Sequence, residues 1–347
     1  MKKFSDRLIA RALAFYKGLL NSKMVRRVLI WSKKLVLPGF DGVPLYDVTV
    51  FFIKGLQKGA ITNRAAALSF NFFLAIFPAI IFFFSLIPYI PIENFQDSLL
   101  DLMEEFIPQQ AYAAVEDTLF DIVTRPRGNL LSIGFLMAMY FATNSVTSMM
   151  EAFNQTYHSI ETRSAFRQRL VAIGLVFLLS TLVVVAIALI TFGPVALNWL
   201  QSHDLLTDKL TLYLLSAGKW LITLALLFFA FSLLFYFGPS RKLRFRFISA
   251  GSTITTLLFI AASIGFNYYV NNFARYNTLY GSIGTLIIFM LWINFNALII
   301  LLGFELNASI AVARRTNNLT AKKSFEPTKT DTGEQTIEKN DLNDIVY

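Results

Sequence analysis

Residues 65–90 read AAALSFNFFLAIFPAIIFFFSLIPYI and contain no charged residue. About 20 mostly apolar residues in a helix are enough to cross the roughly 30 Å hydrocarbon core of a bilayer. Lipid offers no hydrogen-bond partner for the backbone, so a continuous apolar run of this length satisfies its amide groups as a helix. The stretch therefore predicts a transmembrane helix.

Five further stretches have the same apolar character. They cover residues 128–150, 170–201, 217–237, 247–270 and 281–305. None shows the alternation of polar and apolar residues over about ten residues that is typical of a transmembrane β-strand. The sequence thus predicts an all-α polytopic membrane protein with six transmembrane helices.

Composition excludes several other classes of protein. The chain is 55% hydrophobic and 15% charged, whereas a soluble domain carries about 25% charged residues. There is no cysteine and there are only two histidines, His158 and His203, which argues against disulfides, thiolate metal sites and histidine-rich metal sites. The net charge of +9 is uneven, because 13 of the 31 basic residues lie in the first 65 positions. We therefore expect no nucleic-acid partner.

The distribution of lysine and arginine predicts the orientation in the membrane. Residues 1–64 hold 13 basic and 3 acidic residues, whereas the loop between the first two predicted helices, residues 91–127, holds 2 basic and 8 acidic residues. Basic and basic-poor flanks continue to alternate along the chain. Since basic loops stay on the cytoplasmic side, both termini are expected in the cytoplasm.

Three regions follow from this pattern. Residues 1–60 are a basic cytoplasmic or interfacial region, in which basic and apolar residues mix as in amphipathic helices on an anionic leaflet. Packing of such a helix on its own bundle is an equally good interpretation. Residues 61–312 form the six-helix domain, with amphipathic helices expected in the outer loop 91–127. Residues 313–347 are expected to be a disordered cytoplasmic tail.

Polar residues inside the predicted helices are the one hint of a mechanism, because they are costly in lipid and must face a partner or a water-filled cavity. We considered two groups. The candidate polar cavity consists of Asn71, Asn144, Asn267, Asn296 and Glu305. The candidate ion-pair group on the cytoplasmic side consists of Arg64, Glu151, Arg241 and Glu305, in which either glutamate could pair with Arg64. The alternative to a cavity is that these side chains only hold the bundle together.

No sequence motif points to an enzyme or to a bound cofactor. The chain has no GxxxxGK[ST] phosphate loop, no HExxH zinc motif and no GxSxG nucleophile elbow. We accordingly predict no catalytic residue, no cofactor and no metal ligand.

Several segments are similar to a known family. They are residues 65–78, residues 150–157 (MEAFNQTY), residues 266–284 (FNYYVNNFARYNTLYGSIG), and the later segments LWIN and LGFELN that end at Asn294 and Asn307. Over residues 50–312 the chain resembles the YihY/BrkB family of bacterial inner-membrane proteins, and Asn71 is a departure from its pattern. The resemblance implies a six-helix membrane fold and a link to envelope integrity and lipid movement. It also brings a ribonuclease label, which the acidic residues on the opposite side of the membrane do not support.

The leading functional hypothesis is an ATP-independent transporter or facilitator of a lipid or another amphiphile. Membrane lipids are then the main partners, and an envelope protein is a further one. The alternative is an envelope scaffold or assembly factor that transports nothing, and a membrane enzyme is a remote third. The sequence leaves the substrate, the energy coupling and the oligomeric state open.

Overall fold

The computed structural model describes residues 23–58, 60–89, 123–156, 163–202, 209–240, 247–273 and 282–325, together with positions 96, 100, 120 and 121. In these ranges the chain forms eight α-helices and one short 3-10 helix, Ile87–Tyr89. The α-helices are α1 (Lys23–Ser32), α2 (Leu45–Lys58), α3 (Ile61–Leu86), α4 (Gly128–Thr156), α5 (Ala165–Ser202), α6 (Lys209–Phe237), α7 (Ala250–Phe273) and α8 (Ser282–Phe325).

Six of the described helices are long and apolar enough to cross a membrane, which confirms the predicted fold class. They correspond to α3–α8. Several of their boundaries differ from the sequence prediction, and two of them extend a helix into a loop: α4 continues to Thr156 and α5 begins at Ala165. Both extensions are polar turns, which a hydropathy pattern leaves out although the backbone stays helical. Helix α3 also continues through Pro78, whose ring removes one backbone hydrogen bond.

The six spanning helices pack in a closed circuit. Each of α3–α7 contacts the helix that follows it in the chain, and α8 returns to contact α3. Helix α8 additionally contacts α4 and the short helix α2. Since the first and last spanning helices meet, interactions between α3 and α8 close the bundle.

Glycine permits two of these helix contacts. A Cβ atom on Gly303 of α8 would overlap Oγ1 of Thr255 and lie 3.0 Å from the carbonyl oxygen of Gly251, both on α7. A Cβ atom on Gly134 of α4 would lie 3.2 Å from the backbone of Phe82 on α3. Close approach of backbones through small residues is a usual way for helices to associate in lipid.

Interhelical contacts define two ends of the bundle. Arg64, Thr156, Arg163, Phe237, Ala250 and Glu305 lie at the end where α3, α5 and α7 begin and where α4 and α6 end. We call it the Glu305 end, and the opposite end the far end. Helix α8 passes through the Glu305 end and continues beyond it.

The chain before the first spanning helix and the chain after residue 313 contain helices that the structure describes. Helix α8 runs to Phe325, past residue 313 where the disordered tail was expected to begin. Residues 313–325 contain neither glycine nor proline, and Pro327 follows, so the helix lacks a breaker until that point. Helix α2 packs on α8 through Val48. Residues 1–22, 326–347 and most of the loop 91–127 lie outside the described residues.

Candidate functional site

The most buried charged residues in the described part of the chain are Arg64 and Glu305. Arg64 is 8% exposed and Glu305 is 4% exposed. Their nearest atoms, Nη2 of Arg64 and Oε2 of Glu305, are 3.5 Å apart. The pair joins the first turn of α3 to the middle of α8, and its burial makes each charge depend on the other, because an isolated buried charge is very unfavourable.

Thr156 connects the two charges. The Nη1 atom of Arg64 donates hydrogen bonds to the carbonyl oxygen of Ala152 and to Oγ1 of Thr156, each at 2.8 Å. The hydroxyl of Thr156 donates in turn to Oε2 of Glu305 at 3.1 Å. Ala152 and Thr156 belong to the last turn of α4, where the helix dipole favours a positive charge. The end of α4 therefore positions the guanidinium.

The guanidinium of Arg64 is not fully satisfied. Its Nε and Nη2 atoms are buried and have no hydrogen-bond partner among the described residues. The Nη2 atom faces Glu305 at ion-pair distance without forming a hydrogen bond. Buried donors without an acceptor cost about 1–3 kcal/mol each, and more in a charged group. This pair is thus a site where an additional acceptor oxygen would be stabilising.

Helix α2 covers the carboxylate of Glu305. A Cβ atom on Gly55 would overlap Oε1 of Glu305 and lie 2.9 Å from its Cδ atom. Only the absence of a side chain at this position lets the backbone of α2 approach so closely. Helix α2 consequently closes the site at the Glu305 end.

Three aromatic rings pack together where α4, α6 and α8 meet. Phe153 of α4 stacks on Phe304 of α8 with ring centroids 4.1 Å apart, and Phe235 of α6 contacts both rings at 5.8 Å. All three are among the most buried side chains of the described structure. Phe153 lies one turn before Thr156, and Phe304 directly precedes Glu305. Since Arg64 and Glu305 are themselves buried, their electrostatic interaction is stronger than it would be in water.

Two further polar clusters at the Glu305 end form hydrogen bonds with backbone groups at the ends of helices. The Oδ1 atom of Asn307 accepts from the amide of Gly251 at 2.8 Å, and its Nδ2 atom donates to Oγ of Ser249 at 2.9 Å. Gly251 lies in the first turn of α7, where amides have no partner inside the helix. Asn307 therefore caps α7 from a neighbouring helix.

The second cluster holds the chain that follows α6. Asn154 exchanges two hydrogen bonds of 2.8 Å with Ser240, one to its hydroxyl and one from its amide. Arg163 donates to the carbonyl oxygens of Phe237, Gly238 and Pro239. Burial lowers the pKa of Arg163 below its usual value, although a guanidinium stays charged in proteins. These bonds satisfy carbonyls at the C-terminus of α6.

The structure places the candidate cavity residues in different surroundings. The Nδ2 atom of Asn71 donates to Oγ of Ser148 at 2.7 Å, which joins α3 to α4. Asn296 donates to the carbonyl oxygen of Trp292 in its own helix, and its buried Oδ1 atom has no described partner. Asn144 is half-buried on α4, whereas Asn267 is exposed near the far end of α7.

Of the candidate ion-pair group, the structure brings Arg64 and Glu305 together. Glu151 is exposed, and its Oε1 atom accepts from Nε2 of Gln168 at 3.4 Å. Arg241 lies outside the described residues. Sequence reasoning missed Thr156 and Gly55, which complete the site. A threonine at the last residue of a polar helix extension, and a glycine inside an amphipathic helix, are the only signals that the sequence gives for them.

Packing is tight at the Glu305 end and loose towards the far end. Residues 176–190 of α5, 217–230 of α6 and 257–270 of α7 include no buried side chain. The buried residues of the same helices lie close to the Glu305 end, for example Leu175, Phe235 and Thr255. The far parts of these helices still touch their neighbours, since the rings of Phe266 on α7 and Trp292 on α8 lie 4.6 Å apart, but they expose more side-chain surface than the parts near the Glu305 end.

Groups of three or more histidine, aspartate or glutamate side chains that could hold a metal ion do not occur in the ranges that the structure covers. Only the arginine–glutamate pair combines charge, burial and unsatisfied donors there. It is the candidate functional site.

Comparison with known proteins gives a consistent set of similarities. The family described as "Virulence factor BrkB" matches residues 52–328. A protein of Bacillus subtilis named "Putative ribonuclease-like protein YfkH" is 32% identical over 246 residues, which are 71% of this chain and 88% of that protein. No solved structure matches the chain.

Two similar proteins carry membrane names. "UPF0761 membrane protein IL2447" of Idiomarina loihiensis is 27% identical over 221 residues, covering 61% of this chain and 75% of that protein. "UPF0761 membrane protein NTHI0384" of Haemophilus influenzae is 22% identical over 273 residues, covering 77% of this chain and 96% of that protein. The names agree with the six spanning helices.

Proposed function

The chain belongs to the family described as virulence factor BrkB, and from this membership and the site geometry we propose that it moves a lipid or another amphiphile across the bacterial inner membrane without ATP. The observation that supports this most is the uneven packing of the bundle. Aromatic rings and a buried ion pair pack at the Glu305 end. Residues 176–190 of α5, 217–230 of α6 and 257–270 of α7 include no buried side chain. Their exposed apolar surface would contact the acyl chains of an amphiphile, and the ion pair would offer a polar end point for its head group.

Several buried polar atoms would bind the head group. Besides Nε and Nη2 of Arg64, the hydroxyls of Thr143, Ser232 and Thr255 and the Oδ1 atom of Asn296 have no hydrogen-bond partner among the described residues. They belong to α3, α4, α6, α7 and α8, so five of the six spanning helices contribute one. Polar groups inside a membrane protein commonly mark a substrate pathway.

A lipid-movement assay tests the proposal. The purified protein is reconstituted in liposomes that carry a lipid labelled on its head group, and a membrane-impermeant quencher is then added. We expect quenching to pass the half that the outer leaflet contributes, because facilitated movement brings labelled lipid out of the inner leaflet. Quenching that stops at half for zwitterionic, anionic and glycosylated lipids contradicts the proposal.

A matched pair of variants assigns the movement to the site. Glu305→Gln removes the buried charge, and we expect quenching to return to half. Glu151→Gln removes the exposed charge one turn before the end of α4 and should leave the movement unchanged. Both variants must elute as the parent protein does in size-exclusion chromatography, so that loss of folding is not taken for loss of movement.

A scaffold that transports nothing is the alternative, and one observation favours it. The polar residues Asn154, Asn307 and Arg163 each satisfy backbone groups at helix ends, which is a structural role. If Arg64 and Glu305 act in the same way, Glu305→Gln changes stability or assembly and leaves quenching at half in every variant.

A further inference from the structure

We propose that α1, the connecting segment 33–44 and α2 form a surface that binds anionic lipid head groups of the leaflet at the Glu305 end. We call it the basic–apolar surface, and its members are Arg27, Ile30, Trp31, Lys33, Lys34, Val36, Leu37, Ile53 and Lys54. The inference is independent of lipid movement, because a transporter and a scaffold would both use such a surface.

Contacts with the bundle fix the depth of this segment. Phe40, Val43 and Val48 are buried in one cluster with Ala250, Ile310 and Ala313. Ala250 is the first residue of α7, so the segment lies level with the end of a spanning helix. Arg314 of α8 also donates to Oδ2 of Asp41 at 3.0 Å. The segment is thus held where the hydrocarbon core meets the head groups.

Apolar side chains of the same segment point away from the bundle. Ile30 is 50% exposed, Trp31 is 59% exposed and Ile53 is 48% exposed, and Val36 and Leu37 are exposed as well. The side chains that pack on α7 and α8 are other members of the segment, Phe40, Val43 and Val48. Large apolar side chains at this depth meet lipid, and tryptophan is enriched in the interface for this reason.

Charge complementarity selects an anionic lipid as the occupant. Arg27, Lys33, Lys34 and Lys54 are exposed around the apolar side chains, and the ring of Tyr46 lies 4.9 Å below Nζ of Lys33. The acidic residues of the segment are engaged elsewhere, since Asp41 pairs with Arg314 and Asp47 accepts from Asn317. Clusters of basic residues beside a membrane attract anionic head groups.

Tryptophan fluorescence of the full-length chain tests the inference. Trp199, Trp220 and Trp292 are changed to phenylalanine, which leaves Trp31 as the only tryptophan. The protein is placed in nanodiscs of phosphatidylglycerol and phosphatidylcholine in equal parts, and either one or the other lipid carries bromine on its acyl chains. Bromine quenches tryptophan only at short range, so the two discs report which lipid surrounds Trp31.

We expect brominated phosphatidylglycerol to quench Trp31 about twofold more than brominated phosphatidylcholine, because basic residues enrich anionic lipid around the surface. The triple change of Lys33, Lys34 and Lys54 to glutamine should make the two quenching values equal. Changing Arg125 and Arg127, exposed basic residues near the far end, to glutamine should keep the difference.

Two results overturn the inference. Equal quenching by both lipids in the parent protein means that the surface touches lipid without selecting anionic head groups. Absence of quenching, with Trp31 open to aqueous acrylamide, means that the surface faces water and a protein partner. If the changes of Trp199, Trp220 and Trp292 prevent folding, these tryptophans are kept and Trp31→Cys is labelled with an environment-sensitive dye, since the chain has no other cysteine. Quenching of the dye by the two brominated lipids then gives the same comparison.

Discussion

The Nη2 atom of Arg64 lies 3.5 Å from Oε2 of Glu305, and this pair joins the first spanning helix to the last. The circuit of helices α3–α8 is closed by the contact between α3 and α8. The two charges therefore occupy the place where the bundle would open if those helices separated. Thr156 ties the same place to α4.

Breaking the buried pair from one side should destabilise the protein strongly. Arg64→Leu removes the guanidinium that faces the buried carboxylate of Glu305, and we expect a loss of about 3–5 kcal/mol in the free energy of unfolding. The double variant Arg64→Leu/Glu305→Leu should lose clearly less than the sum of the two single variants. Unfolding curves in mixed micelles measure all four proteins, and additive losses would show that the charges do not interact.

A side chain at Gly55 should disturb Glu305. In Gly55→Ala the new methyl group overlaps the carboxylate oxygen, so either Glu305 leaves Arg64 or α2 moves away from α8. We expect a loss of about 1–3 kcal/mol from overpacking, read from the midpoint of thermal unfolding. Gly174→Ala is the control, because a Cβ atom there has open space. Equal midpoints for both variants would contradict the close approach of α2.

A side chain at Gly303 should separate α7 from α8. The added methyl group of Gly303→Ala overlaps Oγ1 of Thr255 and meets the backbone of Gly251, which cannot rotate away. We expect a loss of about 1–3 kcal/mol in the free energy of unfolding. Adding Thr255→Ala removes one of the two overlaps and should recover part of the loss, whereas Gly265→Ala, with open space around it, should cost little.

Single cysteines in the cysteine-free chain test the orientation. The excess of basic residues before residue 65 predicts a cytoplasmic N-terminus, and with six spanning helices the C-terminus follows. A membrane-impermeant maleimide added to spheroplasts should label Arg127→Cys, and should label Lys34→Cys and Arg315→Cys only after lysis. Labelling of Lys34→Cys before lysis would contradict the predicted orientation.

The six spanning helices could be predicted from the sequence because lipid imposes a simple rule on length and hydrophobicity. Residues 65–90 satisfy that rule without reference to any other part of the chain. The rule does not predict where the helices end, since polar turns such as the one that carries Thr156 are helical but not apolar. Thr156 is held by its hydrogen bonds to Arg64 and Glu305, which the hydropathy of the sequence does not show.

The candidate site could be predicted only in part because a sequence does not show which neighbour a side chain meets. Arg64 and Glu305 are conspicuous as charges in apolar runs, and topology places both near one end of the bundle. Asn267 and Asn307 look alike in the sequence, yet one is exposed near the far end and the other caps α7. Gly55 is important because its backbone lies against Glu305 of α8, a residue that is distant in the sequence.

The length of α8 has a mechanical consequence. The helix holds 44 residues without interruption, which is about 66 Å at 1.5 Å per residue, or about twice the hydrocarbon thickness. Its backbone approaches α7 at Gly303, and the helix extends from there to Phe325. Beyond Gly303 it carries Ile310 and Ala313, which pack on Phe40, Val43 and Val48. One continuous helix therefore connects the packing of the spanning helices with the packing of α2, so we expect a tilt of α8 to displace both together.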